Sequence, residues 1–453
     1  MSKHLRVAII GAGPAGIYAG NILHREYPDV SIDLFDSLPA PYGLIRYGVA
    51  PDHPRIKGIV NSLHEMLSEG TIRFLGNVTF GRDLNIADLK AHYHAVIFAT
   101  GAIKDAALAI PGIELSGSFG AADFVAWYDG HPDYPLTWPL EAKEVAVLGN
   151  GNVALDVARV LAKHAEDMLS TDIPDNVYQG LKASPVTDVH VFGRRGPGSI
   201  KFTPIELREL GEINDVDIVL DEADFPEGWD TEAHEGVTNQ HKVMARVIQS
   251  WRDEPKTGAS RRLHLHFFHR PVEVLGQNGK VVGMKFERTK SNGDGTVSGT
   301  REFKSYDLQA VYRAIGYFGS ELAEVPFDAK RGVIANEAGR VVADGKAVEG
   351  LYATGWIKRG PIGLIGHTKS DATETVQNLV ADIENLPDPA DVTEFGIIEL
   401  LKQRGIEYTN WNGWEALNAH EMALGAADTS PVERERVKVV SRDEQVAISR
   451  KAQ

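Results

Sequence analysis

Arg194 and Arg195 stand one glycine after "TDVHVF", an alternating apolar run that reads as a buried strand. Two guanidiniums at a strand end offer an anion charge-assisted, bidentate hydrogen bonds. What precedes them says which anion. "EVAVLGNGNVALDVARVLA" gives a strand, Val145 to Leu148, then Gly149-x-Gly151-x-x-Ala154, then a helix, the order that cradles a dinucleotide pyrophosphate. In such a unit the end of the next strand meets the adenosine ribose, so an arginine pair there fits a 2′-phosphate. An earlier stretch, "LRVAIIGAGPAGIYAGNIL", repeats the arrangement with Gly11, Gly13 and Gly16, and its partner strand "VSIDLFD" ends in Asp36. A carboxylate accepts from both hydroxyls of an unphosphorylated ribose and repels a phosphate. The two sites therefore have opposite ribose chemistry. FAD in the first and NADPH in the second is the pairing they imply, which is that of a flavoprotein reductase.

The elements that must position these residues define an α/β fold with two Rossmann-like dinucleotide-binding domains. "AHYHAVIFATGA" and "VEGLYATGWIKRGP" each end a buried strand in Ala-Thr-Gly, at Ala99-Thr100-Gly101 and Ala353-Thr354-Gly355. The second nucleotide unit lies between them, so the NADP domain is read as inserted in the FAD domain. The expected bounds are 1–104 and 318–453 for FAD, and 105–317 for NADP. A helical insertion is expected near 163–185. "RLHLHFFHRPVEVLGQNGKVVGMKFERTK", with its turn at Gln277-Asn278-Gly279, and "SNGDGTVSGTREF" read as hairpins forming a small antiparallel β layer on the NADP domain. The segment 386–392 reads as a loop. The charged C-terminal stretch "SPVERERVKVVSRDEQVAISRKAQ" reads as a partly mobile tail.

Composition sets the outer limits. A chain of 453 residues calls for two domains. No apolar run approaches the roughly 20 residues of a membrane span, and the N-terminal stretch has no apolar core of a secretory signal, so a cytoplasmic location is expected. The absence of cysteine removes disulfides, thiolate nucleophiles, iron–sulfur ligation and any dithiol relay, leaving redox chemistry to a bound cofactor. No metal site is expected. The net charge of −16 argues against nucleic-acid or anionic-membrane partners.

Three longer segments carry a family resemblance: "PYGLIRYGVAPDHPRIK" (41–57), "GRRGPGSIKFTPIELREL" (193–210) and "GWIKRGPIGLIGHTKSDATETV" (355–376). Together they resemble the ferredoxin–NADP+ reductases of the adrenodoxin-reductase type, over most of the chain. The resemblance implies FAD held by Gly11, Gly13, Ala15, Gly16, Asp36, Leu44, Val78, Trp356, Gly363, Leu364 and Ile365. It implies NADP(H) at Asn150, Gly151, Asn152, Val153, Arg194, Arg195 and Glu206. His53 is implied beside the flavin, with Glu206 across the nicotinamide pocket, as the residues nearest the chemistry. The chain departs from the family in having Asp36 where glutamate is usual, and in a tail without the expected glycine-arginine-rich wording. Read by itself, "RGPIGLIGHTKSDATETV" is a glycine-proline loop entering a helix, whose free N–H groups can stabilise negative charge on a reduced flavin.

The activity so implied is hydride transfer between NADPH and FAD followed by single-electron transfer to a ferredoxin-type iron–sulfur protein. Ferredoxins are commonly acidic, so a chain of net charge −16 needs a local basic face, for which Lys242, Arg246, Arg252, Lys256, Arg261 and Arg262 are candidates. Two alternatives remain open on the residues: another NADPH-dependent flavin enzyme, such as a monooxygenase or an electron-input subunit, and a non-catalytic flavin and nucleotide sensor. Oxygen consumption coupled to hydroxylation would mark the first, and failure of NADPH to bleach the flavin the second.

Overall fold

The computed structural model describes residues 3–225, 229, 239–362 and 365–452. They fall into two compact units: unit one is 1–104, 129–133 and 317–453, and unit two is 105–128 and 134–316. The segment 129–133, which the expected bounds give to the inserted domain, groups with unit one.

In chain order, unit one opens with β1 (Leu5–Ile10), helix α1 (Pro14–Glu26), β2 (Val30–Phe35), β3 (Ile72–Leu75) and β4 (Ala95–Phe98). Unit two follows with β5 (Ser118–Gly120), β6 (Glu144–Leu148), α2 (Asn152–Ala162), β7 (Asp188–Phe192), α3 (Pro204–Gly211), β8 (Val216–Leu220) and β9 (Arg261–His266). It continues through β10 (His269–Gln277), β11 (Lys280–Ser291), β12 (Val297–Tyr306) and β13 (Ala310–Arg313). The chain then returns to unit one with β14 (Asn336–Glu337), β15 (Arg340–Ala343), β16 (Lys346–Ala353), α4 (Ile365–Ala381), α5 (Trp411–Ala427) and α6 (Arg442–Arg450).

The sheet of unit one runs β14-β15-β16-β4-β1-β2-β3, parallel from β16 to β3. Every residue of β1 is buried, as a central parallel strand covered on both faces requires. Leu5, Val7 and Ile9 join one apolar cluster, and Ala8 and Ile10 join another, because successive side chains point to opposite faces. Arg6 is the polar exception, and its guanidinium reaches Asp33 and lies over the Tyr93 ring. The sheet of unit two, β5-β13-β6-β7-β9-β8, is parallel throughout.

On unit two lies the antiparallel layer β10-β11-β12, packed through Val274, Met284 and Phe286 onto Ala146, Leu148 and Phe192. Its first turn has Asn278 and Gly279 at φ 51° and 76°, the paired left-handed residues of a tight hairpin. One expectation is corrected. "RLHLHF" does not begin that hairpin; it is β9, in the parallel sheet. A strand with polar residues on one face has the same period of two in either setting, so alternation could not separate them.

The tail is corrected as well. Ser441 caps α6 by accepting from the Glu444 N–H, and Arg434, Val437, Lys438 and Val439 before it are buried. Among the described residues no helix is long and apolar enough to cross a membrane.

Candidate functional site

The first cradle is built on glycine positions that packing or backbone conformation dictates. Gly11 sits at φ +113°, and a Cβ there would stand 2.5 Å from the carbonyl oxygen of Ala99. A Cβ on Gly16 would stand 2.0 Å from the Gly11 carbonyl oxygen, so α1 can approach β1 only with glycine there. Gly13 differs: its Cβ would meet nothing closer than the Gly43 Cα at 3.9 Å, so no packing demand explains it. It is the N-cap of α1, which has no side-chain cap, leaving the first-turn N–H groups for an anion. The 41–44 loop lies on this turn through a 2.8 Å bond from the Tyr42 N–H to the Ala12 carbonyl, and Leu44 begins the short helix that follows.

Asp36 is buried at the end of β2. Its carboxylate accepts from the Ala12 N–H at 2.7 Å and from the Leu38 N–H at 2.9 Å. Its shorter arm is thus turned onto the glycine loop itself, and each oxygen keeps a second lone pair for a ribose hydroxyl. Burial outweighs those hydrogen bonds and pushes its pKa up to about 6. Val78, also buried, donates its N–H to the Asp36 carbonyl at 2.8 Å, which fixes the far wall.

Trp356 begins a short helix, 356–359, capped by Gly355 at φ 73°. A Cβ on Gly355 would stand 2.6 Å from that of Ala15, so this segment rests on the first turn of α1. Asp371 of α4 holds it there: its carboxylate accepts from the Gly355 N–H at 2.5 Å, and Lys358 and Arg359 stand 3.0 and 3.2 Å away. Sequence reasoning missed Asp371, whose only signal was an acid in the second turn of the helix. Gly363 and Leu364 lie outside the described residues, and Ile365 opens α4. His53 is buried and is the N-cap of the one-turn helix 54–57, where the Ile56 and Lys57 N–H groups donate to its carbonyl.

The second cradle repeats the first. Gly149 is at φ +153°, and its Cβ would stand 2.2 Å from the Ala314 carbonyl oxygen; a Cβ on Gly151 would meet nothing within 4 Å. Gly151 is the N-cap of α2, again with no side-chain cap. Asn150 carries a buried Nδ2 with no hydrogen-bond partner among the described residues, which fits a polar ligand above the turn. Its carbonyl accepts from the Lys201 N–H at 3.1 Å, and Asn152 Oδ1 accepts from the Thr203 N–H at 3.1 Å. Thr203 caps α3 and donates its hydroxyl to the Glu206 carboxylate, so Asn152, Thr203 and buried Glu206 form one connected run. Val153 sits half-buried in the first turn of α2.

Arg194 is exposed and Arg195 half-buried. Their carbonyls are tied to the Thr289 hydroxyl and the Phe268 N–H, but neither guanidinium has a partner among the described residues. The 242–262 cations behave otherwise. Arg252 pairs with Glu222, Arg262 is bidentate to Asp188 at 2.6 Å, and Arg261 caps the C-terminal end of α2 through the Ala162 and Lys163 carbonyls. Lys256 also donates to the Trp251 carbonyl, so most of that cluster is engaged inside unit two and does not present an open basic face.

One polar cluster was not anticipated. His190, His264 and His266 line one face of β7 and β9, with His190 Nδ1 3.0 Å from His266 Nε2. The His190 and His264 rings stack at 4.1 Å with planes 9° apart, and parallel stacked rings cannot aim their in-plane lone pairs at one ion. The arrangement is a hydrogen-bonded stack. Burial holds His190 down to about 3 and His266 well below the usual imidazole range.

The chain is similar to known proteins over most of its length. A family model described as pyridine nucleotide-disulphide oxidoreductase matches residues 5–191, although this chain has no cysteine to supply the disulphide. The mitochondrial NADPH:adrenodoxin oxidoreductase of Arabidopsis thaliana is 36% identical over 96% of this chain and 94% of its own length. NADPH-ferredoxin reductase FprA of Mycobacterium tuberculosis is 37% identical over 96% and 97%. The solved structure of Mycobacterium tuberculosis FprA in complex with NADPH superposes with a TM-score of 0.90, covering 99% of this chain and 100% of that one. At this identity over nearly the full length, the chain belongs to the adrenodoxin-reductase-type family of NADPH-dependent ferredoxin reductases.

Proposed function

We propose that this protein is an FAD-dependent NADPH–ferredoxin reductase, with FAD on the Asp36 cradle and NADPH on the Arg194–Arg195 cradle. Bound FAD would supply the chemistry, acceptance of a hydride from NADPH and release of the two electrons singly to two equivalents of an iron–sulfur partner, with NADP+ and a proton as the other products. The residues supply binding and geometry. Gly13 and the uncapped start of α1 receive the FAD pyrophosphate, and Asp36 its ribose. Gly151 and the start of α2 receive the NADPH pyrophosphate, and the arginine pair its 2′-phosphate. The segment from Gly355 to Trp356, braced by Asp371, supports the flavin end. Hydride transfer needs no protein acid or base, so His53 orients the ring and Glu206 the nicotinamide end. A cytoplasmic site of action belongs to the same reading and is tested by cell fractionation.

The observation that carries the reading is the contrast between a buried carboxylate at one strand end and, at the other, two guanidiniums without a partner among the described residues. The purified protein is expected to be yellow, to be bleached by NADPH much faster than by NADH, and to reduce cytochrome c only when a ferredoxin is added. A colourless protein unable to take up flavin, or equal rates with both coenzymes, would contradict it.

A further inference from the structure

The C-terminal segment carries a lysine that the reaction does not use and that charge alone would place at the surface. The Lys438 side chain has no exposure. Its ammonium donates to the carbonyl oxygens of Arg46 at 2.9 Å and Asp129 at 3.0 Å, and stands 3.6 Å from Asp129 Oδ1. Two carbonyls thus accept directly from the ammonium, and the carboxylate beside it supplies the opposite charge. Asp129 is likewise fully buried, and the same Oδ1 lies 3.2 Å from Lys57 Nζ.

These contacts grip one loop at two points. Arg46 lies seven residues before His53 and Lys57 four residues after it. Lys57 closes the one-turn helix that His53 caps, and its N–H donates to the His53 carbonyl at 3.0 Å. Near Arg46 the grip is doubled: its guanidinium pairs with buried Glu421, whose Oε1 also accepts from the Val439 N–H at 3.0 Å. Lys438 thus sits in a backbone segment fixed by the same carboxylate. A buried ion pair is costly to desolvate and is often matched in stability by apolar residues, so stability alone does not account for placing one here. What such a pair provides is directed geometry: two carbonyls and a carboxylate held at set distances.

We propose that Lys438 and Asp129 are positioning residues for His53, pinning both ends of the 46–57 loop so that the C-terminal segment sets where the imidazole stands. The consequence for turnover rests on the reading above, in which His53 orients the flavin.

The test uses holoenzyme of H53Q, K438M and K438M/H53Q, with two measurements. The first is the His53 imidazole resonance in the NMR spectrum, assigned by its loss in H53Q. K438M is expected to shift or broaden it while the flavin content stays at one per chain. The second is the rate of flavin reduction by NADPH in stopped flow. K438M is expected to slow it by about 10- to 100-fold with KM within about twofold, and to cost less than about twofold in the H53Q background. An unmoved His53 resonance in K438M overturns the clamp. So does an equal slowing by K438M in both backgrounds, which is what a merely structural lysine would give. A moved resonance with H53Q as fast as wild type leaves the clamp standing and removes the assigned role of His53. If K438M yields no folded holoenzyme, D129N, which keeps both carbonyl anchors and removes only the carboxylate charge, is read in the same way.

Discussion

Gly355 and Ala15 come so close that a Cβ on Gly355 would stand 2.6 Å from the Ala15 methyl, at a backbone φ of 73° that already favours glycine. Residues 340 positions apart thus join the segment proposed to support the flavin to the first turn of α1. Gly355→Ala is expected to cost about 1–3 kcal/mol of stability and to lower the bound flavin measured by the ratio of flavin to protein absorbance. Adding Ala15→Gly removes the collision but not the backbone strain, so partial recovery is the expected result. No change on either substitution would mean that the contact does not shape the flavin site.

Arg194→Ala and Arg195→Ala should raise the KM for NADPH and leave that for NADH within about twofold. Charged hydrogen bonds contribute about 1.5–3 kcal/mol, or roughly 10- to 100-fold. Arg194 is exposed and Arg195 half-buried, so the larger effect is expected at Arg195. Steady-state kinetics with both coenzymes decide it, and equal losses would remove the phosphate role.

Asp36 titrates from about 6 because it is buried, so it is a carboxylate above that pH and a neutral acid below it. Only the carboxylate accepts from both ribose hydroxyls. FAD binding to the apoprotein, followed by quenching of flavin fluorescence, should therefore weaken as pH falls through about 6. In Asp36→Asn the pH dependence should flatten, with affinity lower at neutral pH.

The histidine stack predicts an acid weakness in unit two. His190 and His269 are held at about 3 and about 4, and His264 and His266 below their usual value, all by burial. Their folded pKa values lie under the unfolded one near 6.5, so the unfolded chain binds more protons below that pH and stability drops as pH falls toward 3–4. Each such histidine adds up to about 1.4 kcal/mol per pH unit to the slope. Thermal melts from pH 7 to pH 4 should be less steep in His190→Phe/His266→Phe than in the wild type; parallel slopes would clear the stack of responsibility.

The nucleotide units were legible in the sequence because their chemistry is local. Gly11 to Gly16, Gly149 to Ala154 and the Arg194–Arg195 pair each fall within a few residues, and strand ends announce themselves by apolar alternation. What stayed hidden depends on residues far apart in the chain. Lys438 meets Arg46 across 392 positions and Asp129 across 309, so a run of charges that looks solvated is in fact internal. The same holds for Arg262, which faces Asp188 on the neighbouring strand, and which composition alone counts as a surface cation. A list of charges cannot reveal which of them already have partners.

The Thr203 N–H donates to the Asn152 side-chain oxygen, and Asn152 begins the helix whose start is proposed to receive the coenzyme phosphates. Glu206 is therefore tied to that turn through Thr203 and Asn152, while Arg194 and Arg195 follow β7, which pairs with β6 beside it. If the proposed roles hold, exchanging the arginine pair for residues that suit NADH is expected to leave the Asn152–Thr203–Glu206 run in place, which makes this scaffold a suitable starting point for redesigning cofactor choice.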